Sequence, residues 1–219
     1  MATELERFGL RNASGPFDWL ISDDLSKIFG LMKNSFEDFL NEEFLYQIKS
    51  SPSRYKNTKY EVYFFHDFTN DIFAKQIEAV SQKYKRRIDR FLSDIGEPTL
   101  FLRYIVSSNE YNYILNHFSE VLEVVKSFNA ENNIIFICNE EIALDKSKEY
   151  IYTVEKDEND VVARNFLDKN EELRNYLLSD IFDSSLRAKN LERYENKGQK
   201  EDVGHPVAVP YVHDKVIDI

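Results

Sequence analysis

His66 and Asp67 stand together at the end of an apolar run at 60–65, and an imidazole beside a carboxylate can move a proton near neutral pH. Arg103 and Tyr104 fall in a second apolar run at 99–106, and Cys138, Asn139 and Glu140 stand at the end of a third at 133–138. On one rim, an imidazole, carboxylates and a guanidinium support acid–base or acyl-transfer chemistry. Each also has a structural use. His66 and Asp67 can cap the helix beginning near Asp71 and open a turn. Arg103 can pair with a buried carboxylate. Cys138 reads as a small core residue, because reactive thiols need an electropositive, partly exposed setting. His117 sits on the polar side of a helix. His205 and His213 lie near Asp202 and Asp214 without tight ligand spacing, so no metal is expected. The run Lys83, Lys85, Arg86, Arg87 and Arg90 either holds a phosphate or forms a solvated face balanced by Glu78, Asp89 and Asp94. The sequence has no glycine-rich phosphate loop, Gly-x-Ser-x-Gly elbow or Asp-x-Asp motif. This argues against a nucleotide hydrolase, an ordinary serine esterase and a glycosyltransferase, and no cofactor is expected.

The elements that must position these groups follow from periodicity. Residues 1–11 read as a short helix already in progress, followed by a turn cluster at 12–16. Leu25, Ile28, Phe29 and Met32 are spaced for a helix, and a second is expected from Ser35 through Leu45, ahead of a polar loop at 50–58. Beyond this come a strand at 60–65, a long amphipathic helix at 73–95 and a strand at 99–106. A helix over 111–128, a strand at 133–138, a polar edge strand at 150–154 and a helix near 171–182 complete the order. Strand and helix alternating in this way predict an α/β fold: an open, mostly parallel sheet with helices on both faces, lacking its first strand because the chain opens in mid-helix. Ligands of such sheets bind beyond the carboxyl ends of the strands, where His66, Asp67 and Arg103 are expected to converge. Residues 1–192 are read as a single domain. Residues 193–219 are read as a polar C-terminal tail clipped on by Val207, Val209, Tyr211 and Val212.

The chain has 219 residues, of which 42% are hydrophobic, 31% charged and 14% aromatic, enough apolar content for a packed core. Its 39 acidic against 28 basic residues give a net charge of -11, which disfavours nucleic acid as a partner. No run is long and apolar enough to span a membrane, and no leader opens the chain. A single cysteine, Cys138, excludes an internal disulfide. The expectation is a soluble, cytoplasmic protein, with its oligomeric state open.

Phe8-Gly9-Leu10-Arg11, Ser14-Gly15-Pro16-Phe17-Asp18-Trp19, Phe65-His66-Asp67-Phe68, Lys83-Tyr84-Lys85-Arg86-Arg87-Ile88-Asp89-Arg90-Phe91 and Leu100-Phe101-Leu102-Arg103 occur in this order. Over residues 2–138 the chain thereby resembles a bacterial domain family of unknown function labelled papain-like cysteine peptidase. The resemblance implies a cysteine-type hydrolase or acyl-transfer domain acting on a small-molecule, peptide or glycan substrate. In the family pattern a strand ending in Ser-Leu-Gly-x-x-Cys stands directly before the first helix. Here that cysteine falls upstream of Met1, so the expectation is a truncated chain or a member without its nucleophile. By resemblance His66 is the base and Asp67 or Asp18 orients it, and the strand-end rule adds Arg103 to their cleft. The same resemblance carries an alternative, a non-catalytic module of cell-surface polysaccharide biosynthesis. There Trp19 and Tyr104 would stack sugars while Arg11, Arg87 or Arg90 hold a phosphate. The label implies an α+β fold with an antiparallel sheet; the element order implies α/β.

Overall fold

The computed structural model describes residues 1–11, 13–22, 24–143, 148–155, 165–180, 184–197 and 215–218. In chain order its elements are α1 (Ala2–Arg7), β1 (Leu20–Ile21), α2 (Leu25–Lys33), β2 (Leu45–Gln47), β3 (Tyr55–Asn57), β4 (Val62–Phe64), α3 (Phe73–Asp94) and β5 (Thr99–Ile105). They continue with α4 (Ser108–Lys126), β6 (Asn133–Asn139), β7 (Ile151–Val154), α5 (Phe166–Lys169), α6 (Glu171–Asn175), a π-helical turn (Tyr176–Asp180), α7 (Ser184–Lys197) and β8 (Lys215–Asp218). None of the described helices is long and apolar enough to cross a membrane. The chain divides into two compact units, residues 1–14 with 94–218, and residues 15–93.

The first unit is the expected α/β layer structure, built on a parallel sheet of order β7-β6-β5-β8. Leu100, Leu102, Ile135 and Ile137 turn to one face, where they pack with Leu5 and Leu10 from the N-terminal helix region and Phe166, Leu167, Leu173 and Leu177. Arg103 and Phe136, paired in register, turn to the other face, where α4 supplies Glu110 and Phe118. Helices therefore cover both faces, and β5 and β6 are apolar on both sides as such strands must be. The N-cap of α4 is Ser107, whose hydroxyl accepts the Glu110 N–H at 3.2 Å. Asn132, wholly buried, accepts the Thr99 N–H and donates to Ile95 O and Val125 O, which ties the start of β5 to the end of α4. The segment from 193, expected as a tail, begins inside α7 and ends in β8 alongside β5. His205, His213 and the apolar clip at 207–212 lie outside the described residues.

The second unit departs from the sequence reading. Residues 62–64 were expected to extend the parallel sheet, but β4 belongs to an antiparallel sheet of order β1-β4-β3-β2. Only residues 58–61 separate β3 from β4, and so short a connection permits only a hairpin. Asn57 makes the turn: its Oδ1 accepts the N–H groups of Lys59 and Tyr60, both at 2.9 Å. The helix expected from Ser35 is absent as well. Ser35, Phe36 and Asp38 have φ of 50°, 62° and 61°, a left-handed backbone that no α-helix contains. Asn57 Nδ2 takes up the carbonyls of Asp38 and Phe39, at 2.8 and 3.0 Å, so the turns are held from across the hairpin. Their purpose is to send two rings inward. Phe36 packs on Phe17 and Phe91, and Phe39 packs on Phe64 and Tyr84, with centroids 5.1–5.5 Å apart.

Two positions in the first unit give tests. Gly9 has φ +72°, and a Cβ there would lie 2.8 Å from Arg187 O, in a turn where Asn190 Nδ2 donates to Gly9 O. Gly9→Ala is expected to destabilise the protein by at least about 1–3 kcal/mol, read from chemical denaturation. Glu4 accepts the backbone N–H groups of Phe166 and Leu167, and burial pushes its carboxyl above the usual range despite those bonds and Arg7. The folded protein thus holds this proton at higher pH than the unfolded chain does. Its contribution is greatest below the ordinary value of 4.5 and is lost as pH rises through the raised one. The melting temperature of the wild type minus that of Glu4→Gln is therefore expected to be larger at pH 4.5 than at pH 7.

Candidate functional site

His66 and Asp67 follow β4 directly, and the Phe17–Asp18–Trp19 turn precedes β1. The antiparallel register pairs Leu20 with Phe64, and the turn ahead of it is closed by the Leu20 N–H donating to Phe17 O at 3.2 Å. The Trp19 ring meets the His66 ring edge-to-face, centroids 5.6 Å apart. His66 is exposed, and among the described residues that ring is its one aromatic partner and no hydrogen bond holds the imidazole. Trp19 is 57% exposed and has φ +68°. A tryptophan in left-handed backbone costs about 1–2 kcal/mol, and such strain concentrates at functional positions.

Asp67 turns to α3. Its side chain is only 4% exposed; Oδ1 receives Lys83 Nζ in a salt bridge, and Oδ2 accepts the Tyr84 hydroxyl at 3.0 Å. By resemblance Asp67 or Asp18 was expected to orient the imidazole; here both oxygens of Asp67 bond to side chains of α3. Both oxygens are committed because the fully buried Tyr84 hydroxyl and the ammonium need them. Burial, together with the Asp67 charge and hydrogen bond, drives the Tyr84 phenol far above its usual range, with Asp18 adding to the effect and Arg87 opposing it. Tyr84 is therefore a donor at any working pH and never a base. Asp18 is buried at 3% exposure, and its Oδ2 accepts the Gly15 N–H at 3.2 Å. Lys83 and Tyr84 were missed as partners of Asp67. The available signal was a tyrosine within an otherwise apolar stripe.

The basic run separates by function. Lys83 serves Asp67, Lys85 pairs with Asp89 at 2.7 Å, and Arg86 is exposed. The Arg87 guanidinium lies 5.6 Å over the Tyr84 ring, and Arg90, three residues on, is half-buried. Arg11 lies in the other unit, where its Nε donates to Ala13 O at 3.1 Å.

Arg103 forms a buried ion pair. It belongs to the parallel-sheet unit, in the body of β5, and its Nε and NH2 reach Glu110 Oε1 at 2.9 and 2.8 Å. Both side chains are buried, at 8% and 1% exposure. A guanidinium on a strand buried on both faces needs a carboxylate partner, and the first turn of α4 provides one. Cys138 is likewise fully buried on β6, in register with Ile105. Asn139 accepts the N–H groups of Glu141 and Ile142 and shapes the turn after β6. His117 sits at a kink in α4 where Tyr113 stacks on it and Glu120 Oε1 lies 3.1 Å from Nδ1.

Residues 1–141 match the family described as "Putative papain-like cysteine peptidase", a match that covers more than half of the 219 residues. The chain belongs to that family. No curated protein and no solved structure matches it. The family span takes in every residue of the His66 cluster as well as Arg103 and Cys138.

Glu110→Gln removes the carboxylate that pairs with the buried Arg103 and is expected to cost about 3–5 kcal/mol in denaturant unfolding. Replacing both residues by apolar ones of similar volume is expected to recover most of that loss, as a structural ion pair should.

Proposed function

We propose that the cluster around His66 is the acid–base part of a cysteine-type hydrolase or acyl-transfer site. The observation that carries this reading is an exposed imidazole with no hydrogen bond among the described residues, steadied by a tryptophan held in left-handed backbone. A structural histidine finds a partner, whereas a general base needs its nitrogen open to the proton it takes. Asp67 and Asp18 act by position. One anchors the chain beside the histidine to α3, and the other fixes the turn that presents Trp19.

In this reading His66 takes the proton of a thiol, the thiolate adds to an acyl carbonyl, and the imidazolium returns the proton to the leaving group. Water or another acceptor then releases the acyl group from sulfur. With Cys138 sealed on the parallel sheet, the sulfur that His66 serves is not one of the side chains of this sequence. The test therefore supplies it. Cleavage of p-nitrophenyl acetate is followed with 2-mercaptoethanol, with the protein, and with both. The combination is expected to exceed the sum of the separate rates, and His66→Ala is expected to remove at least about tenfold of the excess. Trp19→Gly, which relieves the backbone and frees the ring, is expected to lower the excess while leaving the melting temperature unchanged or higher. Equal rates for wild type and His66→Ala would end the proposal.

A further inference from the structure

The inward stripe of α3 runs Val80, Tyr84, the half-buried Arg87 and Phe91, spaced by four, three and four residues, the pattern of a helix face turned to a core. Three of the four positions are occupied as that pattern requires, Val80, Tyr84 and Phe91 each being 6% exposed or less. The remaining position holds an arginine. Its NH1 is the only buried side-chain nitrogen among the described residues that lacks a hydrogen-bond partner. Neither neighbouring carboxylate supplies one. Asp67 has given both oxygens to Lys83 and Tyr84, and Arg87 makes no hydrogen bond to Asp18. The Tyr84 ring beneath the guanidinium stabilises the cation from one face without satisfying its N–H groups.

A leucine or methionine would complete this stripe at no electrostatic cost. The chain instead keeps a full positive charge at the rim of an aromatic core, with a donor pointing at no acceptor. Such an arrangement is complete only when an oxyanion arrives, since a guanidinium offers a planar fork matched to carboxylate and phosphate. Through Tyr84 the guanidinium connects to Asp67, and through the chain to His66.

We propose that Arg87 is a binding residue for an oxyanion, a carboxylate or a phosphate group carried by the ligand of the His66 cluster. This rests on that cluster being a ligand site, but it does not require turnover. The substrate class that follows is anionic. It carries its charged group on the α3 side of the histidine, and the aromatic stripe holds Arg87 ready before the ligand binds.

Inorganic phosphate and succinate are titrated separately into the full chain by calorimetry at low ionic strength in chloride-free buffer, since such contacts are screened by salt. Saturable binding of at least one anion is expected, and the tighter one tells a tetrahedral from a planar group. Arg87→Met is expected to weaken it tenfold or more, and Arg87→Lys to weaken it less, because an ammonium keeps the charge and loses the fork. Arg86→Met is expected to bind like wild type. Anion binding is read as heat and the thiol-dependent rate as ester cleavage, so either can fail alone. Without anion, the melting temperature of Arg87→Met is expected to equal that of wild type or exceed it by about 2–4 °C, because an unpaired donor has left the core rim. Three results would overturn the assignment: no saturable binding of either anion to wild type, unchanged binding in Arg87→Met, or a clear drop in its melting temperature without ligand.

Discussion

Tyr84 is completely buried, and its hydroxyl must find an acceptor in a surrounding built of phenylalanine rings. The carboxylate of Asp67 meets that need and is itself brought inside only because Lys83 neutralises it. Each of the three groups would be costly alone; together they form a closed polar knot at the rim of an aromatic core. The knot fixes the chain immediately after β4 to α3, and so sets where His66 stands. The rings packed on Tyr84, Phe39 and Phe64, come from the left-handed turns after α2 and from β4 itself. One buried hydroxyl thereby links the hairpin, the turns and the long helix.

The parallel-sheet unit was readable because its signals are strong and local. Strands β5 and β6 are apolar at nearly every position, and α4 repeats its apolar residues every three or four. The antiparallel unit was not readable in the same way. Strand β3 contains Lys56 and Asn57 and reads as loop; its role appears only when Asn57 is seen bonded across the hairpin to residues 38 and 39. The turns at 35–38 carry Phe36 and Phe39 at helical spacing, so periodicity alone suggests a helix. The competing force was tertiary, with aromatic packing and the side chain of Asn57 outweighing local propensity. The chain contains both a parallel and an antiparallel sheet, each in its own unit, where the element order alone predicts one parallel sheet.

Of the candidate residues, Trp19 and His66 are brought together where β1 pairs with β4, and Asp67 and Arg87 join through Tyr84. Arg103 was the ambiguous member. Its place in an apolar strand was compatible with a rim or a buried pair, and sequence contains no term that separates them. Glu110 decides the matter, seven residues away, because the Ser107 cap starts α4 at the point that aims this glutamate back at β5.

Trp19 carries the argument for function further than any of the polar groups. A large aromatic ring ordinarily gains more from burial than any other side chain, and a bulky residue ordinarily avoids positive φ. Here both tendencies are overridden at one position while Phe17 and Leu20, close on either side, behave normally: Phe17 is in the aromatic core and Leu20 in the sheet. The backbone cannot relax, because Asp18 holds the Gly15 N–H on one side and the β1–β4 ladder holds the other. The strain therefore has a product, a ring pushed outward against an imidazole that makes no hydrogen bond among the described residues. A fold gains no stability from that arrangement, which is why it is read as equipment for a ligand rather than as packing.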